Sequence, residues 1–155
     1  MTKVSRELKL GVSMASCVRL LSDDPESILG SEAASLSIEV LGFELKHPIR
    51  LVVGELTVVQ RPIEVVSLPF HVEADGGEGW FPVFEADLEV VGGHRGVSVA
   101  LDGSYRPPGG PLGAIADLVA LHRVADDAID RYFGGITARL GAQAADLDAL
   151  SGVPI

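Results

Sequence analysis

The sequence predicts an α+β fold: an antiparallel sheet of about six strands against one long C-terminal helix, with two short helices after the first strand. Three observations lead there. Most of residues 33–107 alternate apolar with polar side chains, the period of strands that have one dry face and one wet face. Only residues 112–140 carry a long apolar stripe at helical spacing. The remaining helical spacing is confined to a short stretch behind the first strand.

The elements follow in chain order. Residues 4–12 alternate around Val4, Leu8, Leu10 and Val12, with Ser5, Glu7 and Lys9 between them. "SMASCVRLLSDDPESILG" then switches to helical spacing, and two helices separate near Ser22-Asp23. Asp24-Pro25-Glu26 supplies an N-cap, a proline for the first turn and an acid for the helix dipole, and Gly30 ends the second helix. Five strands follow. Leu36, Ile38 and Val40 mark the first of them, and Val66, Leu68, Phe70 and Val72 line one face of 62–74. Phe84, Ala86, Leu88 and Val90 alternate with Glu85, Asp87 and Glu89, and Val97, Val99 and Leu101 with Ser98 and Asp102. Asp75-Gly76-Gly77 and Gly92-Gly93 are the expected positive-φ hairpin positions, and Pro69 is a place where a bulge would reverse the facing of His71.

"GSYRPPGGPLGAIAD" joins the last strand to the helix. Pro107 and Pro108 lack the donors to extend a ladder, Gly109-Gly110 permits the reversal, and Pro111 suits a first helical turn. The helix, expected over about 111–141, presents Ile115, Leu118, Ala125, Ile129, Phe133, Ile136 and Leu140 on one side. Asp117, Asp127, Asp130 and Arg131 lie opposite. At about 1.5 Å per residue it spans roughly 40 Å, enough to cross a small sheet. Gly134-Gly135 is its weak point, where a kink or an end is expected at a cost of about 1 kcal/mol per glycine.

Composition narrows the function. A chain of 155 residues is expected to form one domain that buries roughly 70% of its unfolded surface. With a net charge of −10 and basic residues scattered along the chain, nucleic acid is an unexpected partner. No run reaches the roughly 18 apolar residues of a membrane span, and "MTKVSRELKLGVS" has no signal-peptide core, so stable membrane insertion is not expected and a cytoplasmic protein is. Cys17 is the single cysteine and reads as a small buried residue. Neither a nucleophile elbow, a phosphate loop nor a dinucleotide fingerprint is present, and no cofactor is implied.

The stretches "SDDPESILG" and "GSYRPPGGPLGAIADLVALHRVADDAIDRYF" resemble the START-like helix-grip superfamily, in its polyketide cyclase/dehydrase and lipid-transport grouping, and the resemblance runs along essentially the whole chain. It implies a curved sheet wrapped around the long helix with a cavity between them. The residues read in the same direction: large side chains are sparse, and two polar groups are aimed inward. Extending the register of Val97, Val99 and Leu101 by twos turns Tyr105 inward, and His122 falls within the apolar helix stripe.

The leading expectation is binding of a small hydrophobic or amphipathic molecule by Tyr105, His122, Leu118, Ile129, Phe133, Phe84, Leu88, Val99 and Leu101. The alternative is a cyclase or dehydratase in which His122 moves protons and Tyr105 polarises a carbonyl. The bland reading of His122 is a core histidine bonded to a carbonyl or to Tyr105. Metal binding is not expected, because Asp126 at i+4 lies on the helix flank and no HExxH pattern surrounds His122. A third possibility is an interaction module without a ligand, in which the Leu121, Val124 and Ala128 flank supports a homodimer. His71 is placed on a wet face, His47 and His94 in turns, and the acids Glu85, Asp87 and Glu89 on a solvated strand face.

Overall fold

Alternation along each strand becomes a sheet with two unlike faces. The computed structural model describes residues 2–30, 35–40, 43–74, 83–106 and 118–152. The elements run β1 (Thr2–Leu10), α1 (Met14–Asp23), α2 (Pro25–Leu29), β2 (Ser35–Val40), β3 (Phe43–Val53), β4 (Thr57–Val59), β5 (Val65–Ala74), β6 (Val83–Gly93), β7 (Gly96–Arg106) and α3 (Leu118–Ser151). The sheet is antiparallel and open, in the order β1-β7-β6-β5-β3-β2, with the short β4 beside β5. Its first and last strands in the chain, β1 and β7, are therefore neighbours.

Register stacks the inward side chains in rows across the strands. One row reads Tyr105, Phe84, Val72, Leu51, and the next Val4, Gly103, Ala86, Phe70, Val53. Below them come Arg6, Leu101, Leu88, Leu68 and then Leu8, Val99, Val90, Val66. Apart from Arg6 and Leu8 on the β1 edge, these two rows are closed against water: Leu68, Leu88, Leu101, Val66, Val90 and Val99 are at most 1% exposed. α3 supplies Ile136 and Leu140 to the same core, and α1 and α2 supply Cys17, Leu21, Ile28 and Leu29. Each such leucine contributes about 1.5–3 kcal/mol by leaving water.

The helical connection folds as its caps dictate. Ser13 caps α1 by accepting from the Ser16 amide, and Asp24 caps α2 by accepting from the Ser27 amide. Gly30 ends α2 at φ +88, a conformation that glycine tolerates and other residues resist.

Several expectations change. α3 continues ten residues past 141 to Ser151, because Gly134-Gly135 does not interrupt it; residues 107–117, with the proline turn, lie outside the described residues. The expected strand over 4–12 begins and ends two residues earlier, and β4 adds a strand to the expected six. In the β6–β7 hairpin the positive φ belongs to Gly96 and not to Gly92-Gly93, since His94-Arg95 form the turn and Gly93 pairs with Gly96. The Asp75-Gly76-Gly77 turn lies outside the described residues.

Pro69 introduces no bulge: register passes unbroken from Leu68–Leu88 through Pro69–Asp87 to Phe70–Ala86. Its carbonyl accepts from the Gly54 amide at 2.7 Å, so its missing donor faces the interruption between β3 and β4, where no ladder bond is lost. His71 accordingly stays on the outer face beside Glu85 and Val52. His94 lies in the hairpin turn, whereas His47 belongs to β3 and pairs with Leu36; its side chain lies outside the described residues.

Candidate functional site

The inner face of α3 is set by helical spacing. Ile129, Phe133, Ile136, Leu140 and Ala144 are all buried, and the stripe continues to Asp148, which is only 5% exposed. Asp127 and Arg131 face solvent, as expected of the opposite side. Asp130 and Asp126 do more: both reach Arg6, whose place in the inward row of β1 brings its guanidinium up to the helix. This clamp ties the edge strand to α3.

Toward the Tyr105 end of the sheet, packing changes from aliphatic to aromatic. Phe70, Phe84 and Tyr132 form a triangle of edge-to-face contacts with ring centroids 6.2–6.4 Å apart. Pairs in this geometry contribute about 0.5–1.5 kcal/mol beyond their burial. Phe70 is buried at 4% exposure, yet Phe84 and Tyr132 stay partly exposed, as do Leu51, Val53 and Val72 around them. Tyr105 stands beside Phe84 and is 4% exposed.

The Tyr132 hydroxyl is the odd member. Its oxygen is shielded from water and has no hydrogen-bond partner among the described residues. Burial pushes the phenol well above its ordinary value, and the positive charge of Arg139 opposes part of the rise. A buried hydroxyl without a partner costs about 1–3 kcal/mol, so structures seldom keep one without a use.

Next to the ring triangle the sheet's inner face narrows. A side chain at Gly103 would run into the Glu85 carbonyl oxygen and stand 2.6 Å from Ala86 Cβ, so glycine is required by the close approach of β6 to β7. A shallow hollow of about 430 Å³ lies along β1 and β7 at this level, lined by Lys3, Val4, Ser5, Asp102, Gly103 and Ser104. None of the ring residues lines it.

At the other end of α3, Asp148 is the centre of a polar cluster. Its carboxylate accepts from the hydroxyls of Ser13 and Ser16 and from the Ser13 amide at 2.8 Å. These bonds hold its carboxyl below the usual range despite burial. Beside it the Cys17 thiol is fully buried and pushed up to about 12, chiefly by burial and further by the Asp148 charge. Such a thiol is not a nucleophile near neutral pH.

Of the residues expected to line a ligand site, Phe84 and Tyr105 share one inward row, while Leu88, Val99 and Leu101 lie in the closed rows below it. Ile129 and Phe133 are buried on α3 at 7% exposure each. Leu118 and His122 fall in the first turns of α3, where their side chains lie outside the described residues; those of Leu121 and Val124 do too. Sequence reading passed over Phe70 as a site residue, and over Tyr132, Arg139 and Asp148 altogether. Tyr132 is visible only as a neighbour of Phe133, one position off the stripe. Among the described residues, no group of three or more His, Cys, Asp or Glu side chains stands where it could hold a metal, and no helix is long and apolar enough to cross a membrane.

The class defined by this architecture is α+β, an open antiparallel sheet packed on a C-terminal helix. A solved structure described as a conserved protein from Geobacillus kaustophilus shares that fold: 16% identity, 93% of this chain and 94% of that one, TM-score 0.54. A hypothetical protein from Helicobacter pylori is similar at 17% identity over 92% of this chain and 88% of that one, with a TM-score of 0.48. No family model and no curated protein matches the chain.

Proposed function

We propose that this protein binds a small hydrophobic or amphipathic molecule between the inner face of its sheet and α3, in a helix-grip arrangement of the START-like kind. The observation that carries the reading is the Phe70–Phe84–Tyr132 triangle, where two rings stay partly exposed and a shielded hydroxyl has no protein partner among the described residues. A few polar groups converging on an apolar, aromatic wall are what a small-molecule site requires. Tyr105 brings a second phenol to the row of Phe84, and Ile129 and Phe133 are buried in the same core from α3.

Native mass spectrometry of the purified protein with dodecanol tests the reading. One bound molecule per chain is expected, and Phe84→Asp, at a partly exposed position, should weaken binding at least tenfold while the far-ultraviolet spectrum is retained. A wild-type protein that takes up no apolar molecule, and yields none on solvent extraction, overturns it.

A further inference from the structure

Helix α3 carries a glycine where its own stability argues against one. Gly135 lies well inside the helix and costs about 1 kcal/mol relative to alanine. The space it leaves is taken by Arg139: a Cβ at Gly135 would stand 2.9 Å from Nη1. Gly30 borders the same group, and a Cβ there would stand 3.2 Å from Nη2. Between them, Nε donates to the Ile28 carbonyl at 2.8 Å and caps the last turn of α2. The guanidinium is thus seated between two bare glycines with its orientation set by one backbone bond.

That bond uses one of five N–H donors. Among the described residues Arg139 has no carboxylate partner, unlike Arg6 and Arg19, which pair with aspartates. Helical side chains lean toward the N-terminus, and the guanidinium accordingly lies back over Gly135; Tyr132, seven residues before Arg139 and so on the same face, sits about 10 Å earlier along the axis. The two groups sense each other, since the Arg139 charge acts on the Tyr132 phenol. A half-buried cationic fork with a single backbone acceptor and a shielded hydroxyl with none among the described residues lie on one side of α3 at the margin of an aromatic patch.

We infer that Arg139 and Tyr132 receive the carboxylate head of a single-chain amphiphile whose apolar tail lies along Phe70 and Phe84. This rests on the ligand-binding reading above and names its substrate class. A planar guanidinium matches a carboxylate through two parallel N–H donors, which an alcohol head does not satisfy.

Isothermal titration with dodecanoate and dodecanol, each below its aggregation threshold, decides it. Wild-type protein should bind dodecanoate at least tenfold more tightly, and Arg139→Met should erase that preference while leaving dodecanol affinity within twofold. Equal affinities for the two ligands in the wild type overturn the head-group assignment, as does a preference that survives in Arg139→Met. Should Arg139→Met lose its helical circular dichroism, the wild-type pair decides alone. Failure of the wild type to bind either ligand overturns the ligand-binding reading itself, so the two failures are told apart.

Discussion

The two ends of the sheet–helix interface are built from the same kinds of element and differ in how they are filled. At one end Leu68, Leu88 and Leu101 of the sheet and Ile136 and Leu140 of α3 are at most 1% exposed. At the other, Phe84 and Tyr132 keep part of their surface open and one hydroxyl lacks a partner among the described residues. Close packing at the first end stabilises the molecule, and each further methylene buried there adds about 0.8 kcal/mol. The second end forgoes some of that gain. Stability and recognition are therefore separated along one interface, and substitutions should separate them too.

The largest effect belongs to the closed end. Leu88→Ala should cost about 2–5 kcal/mol in urea denaturation through lost burial and the cavity it leaves, with dodecanol affinity nearly unchanged. An equal loss of affinity would show that the two ends are one cooperative site. Next is the polar tie at the far end of α3: Asp148→Asn should cost about 1–3 kcal/mol, since its serine partners stay buried or half-buried with weaker acceptors.

That loss depends on pH in a direction fixed by the native bonding. Because the Asp148 carboxyl lies lower in the folded chain than in the unfolded one, its contribution is fully present above about pH 4 and fades as pH falls through the folded value. Denaturation midpoints of wild type and Asp148→Asn should converge below that pH; parallel curves would remove Asp148 from the account. The smallest effect is expected at the open end. Tyr132→Phe should be neutral or stabilising by up to about 1 kcal/mol, because it removes a hydroxyl that has no partner among the described residues. A clear destabilisation would mean that the hydroxyl has a structural partner.

How much of this could be read in advance depended on whether the signal is local. One-sided alternation located the inward faces of β5, β6 and β7, and three- and four-residue spacing located Ile129, Phe133, Ile136 and Leu140. The last turns of α3 were hidden because their inward positions are Ala144 and Asp148, one small and one charged. Pattern rules read a charge as wet. Asp148 is dry because Ser13 and Ser16, more than 130 positions earlier, turn their hydroxyls onto it.

The aromatic end was half legible for a similar reason. Tyr105 and Phe84 follow from strand register, but Tyr132 joins Phe70 and Phe84 through tertiary packing that no local period announces. Gly135 read as a defect in a helix, and only its contact with Arg139 gives it a purpose.

The neighbouring positions of β1 and β7 also constrain how the molecule is made. Residues 2–10 pair with residues 97–105, and among the described residues that edge strand pairs with no other strand. During synthesis the first strand must wait, unpaired, until more than eighty further residues have emerged. Its Arg6 ties and the Ser13 link to Asp148 form later still, when α3 has left the ribosome. Such distant closures carry a large loop entropy and slow the search for the native state. The beginning of the chain is secured last, and a stalled or truncated product lacking α3 would expose the apolar face of the sheet to other chains.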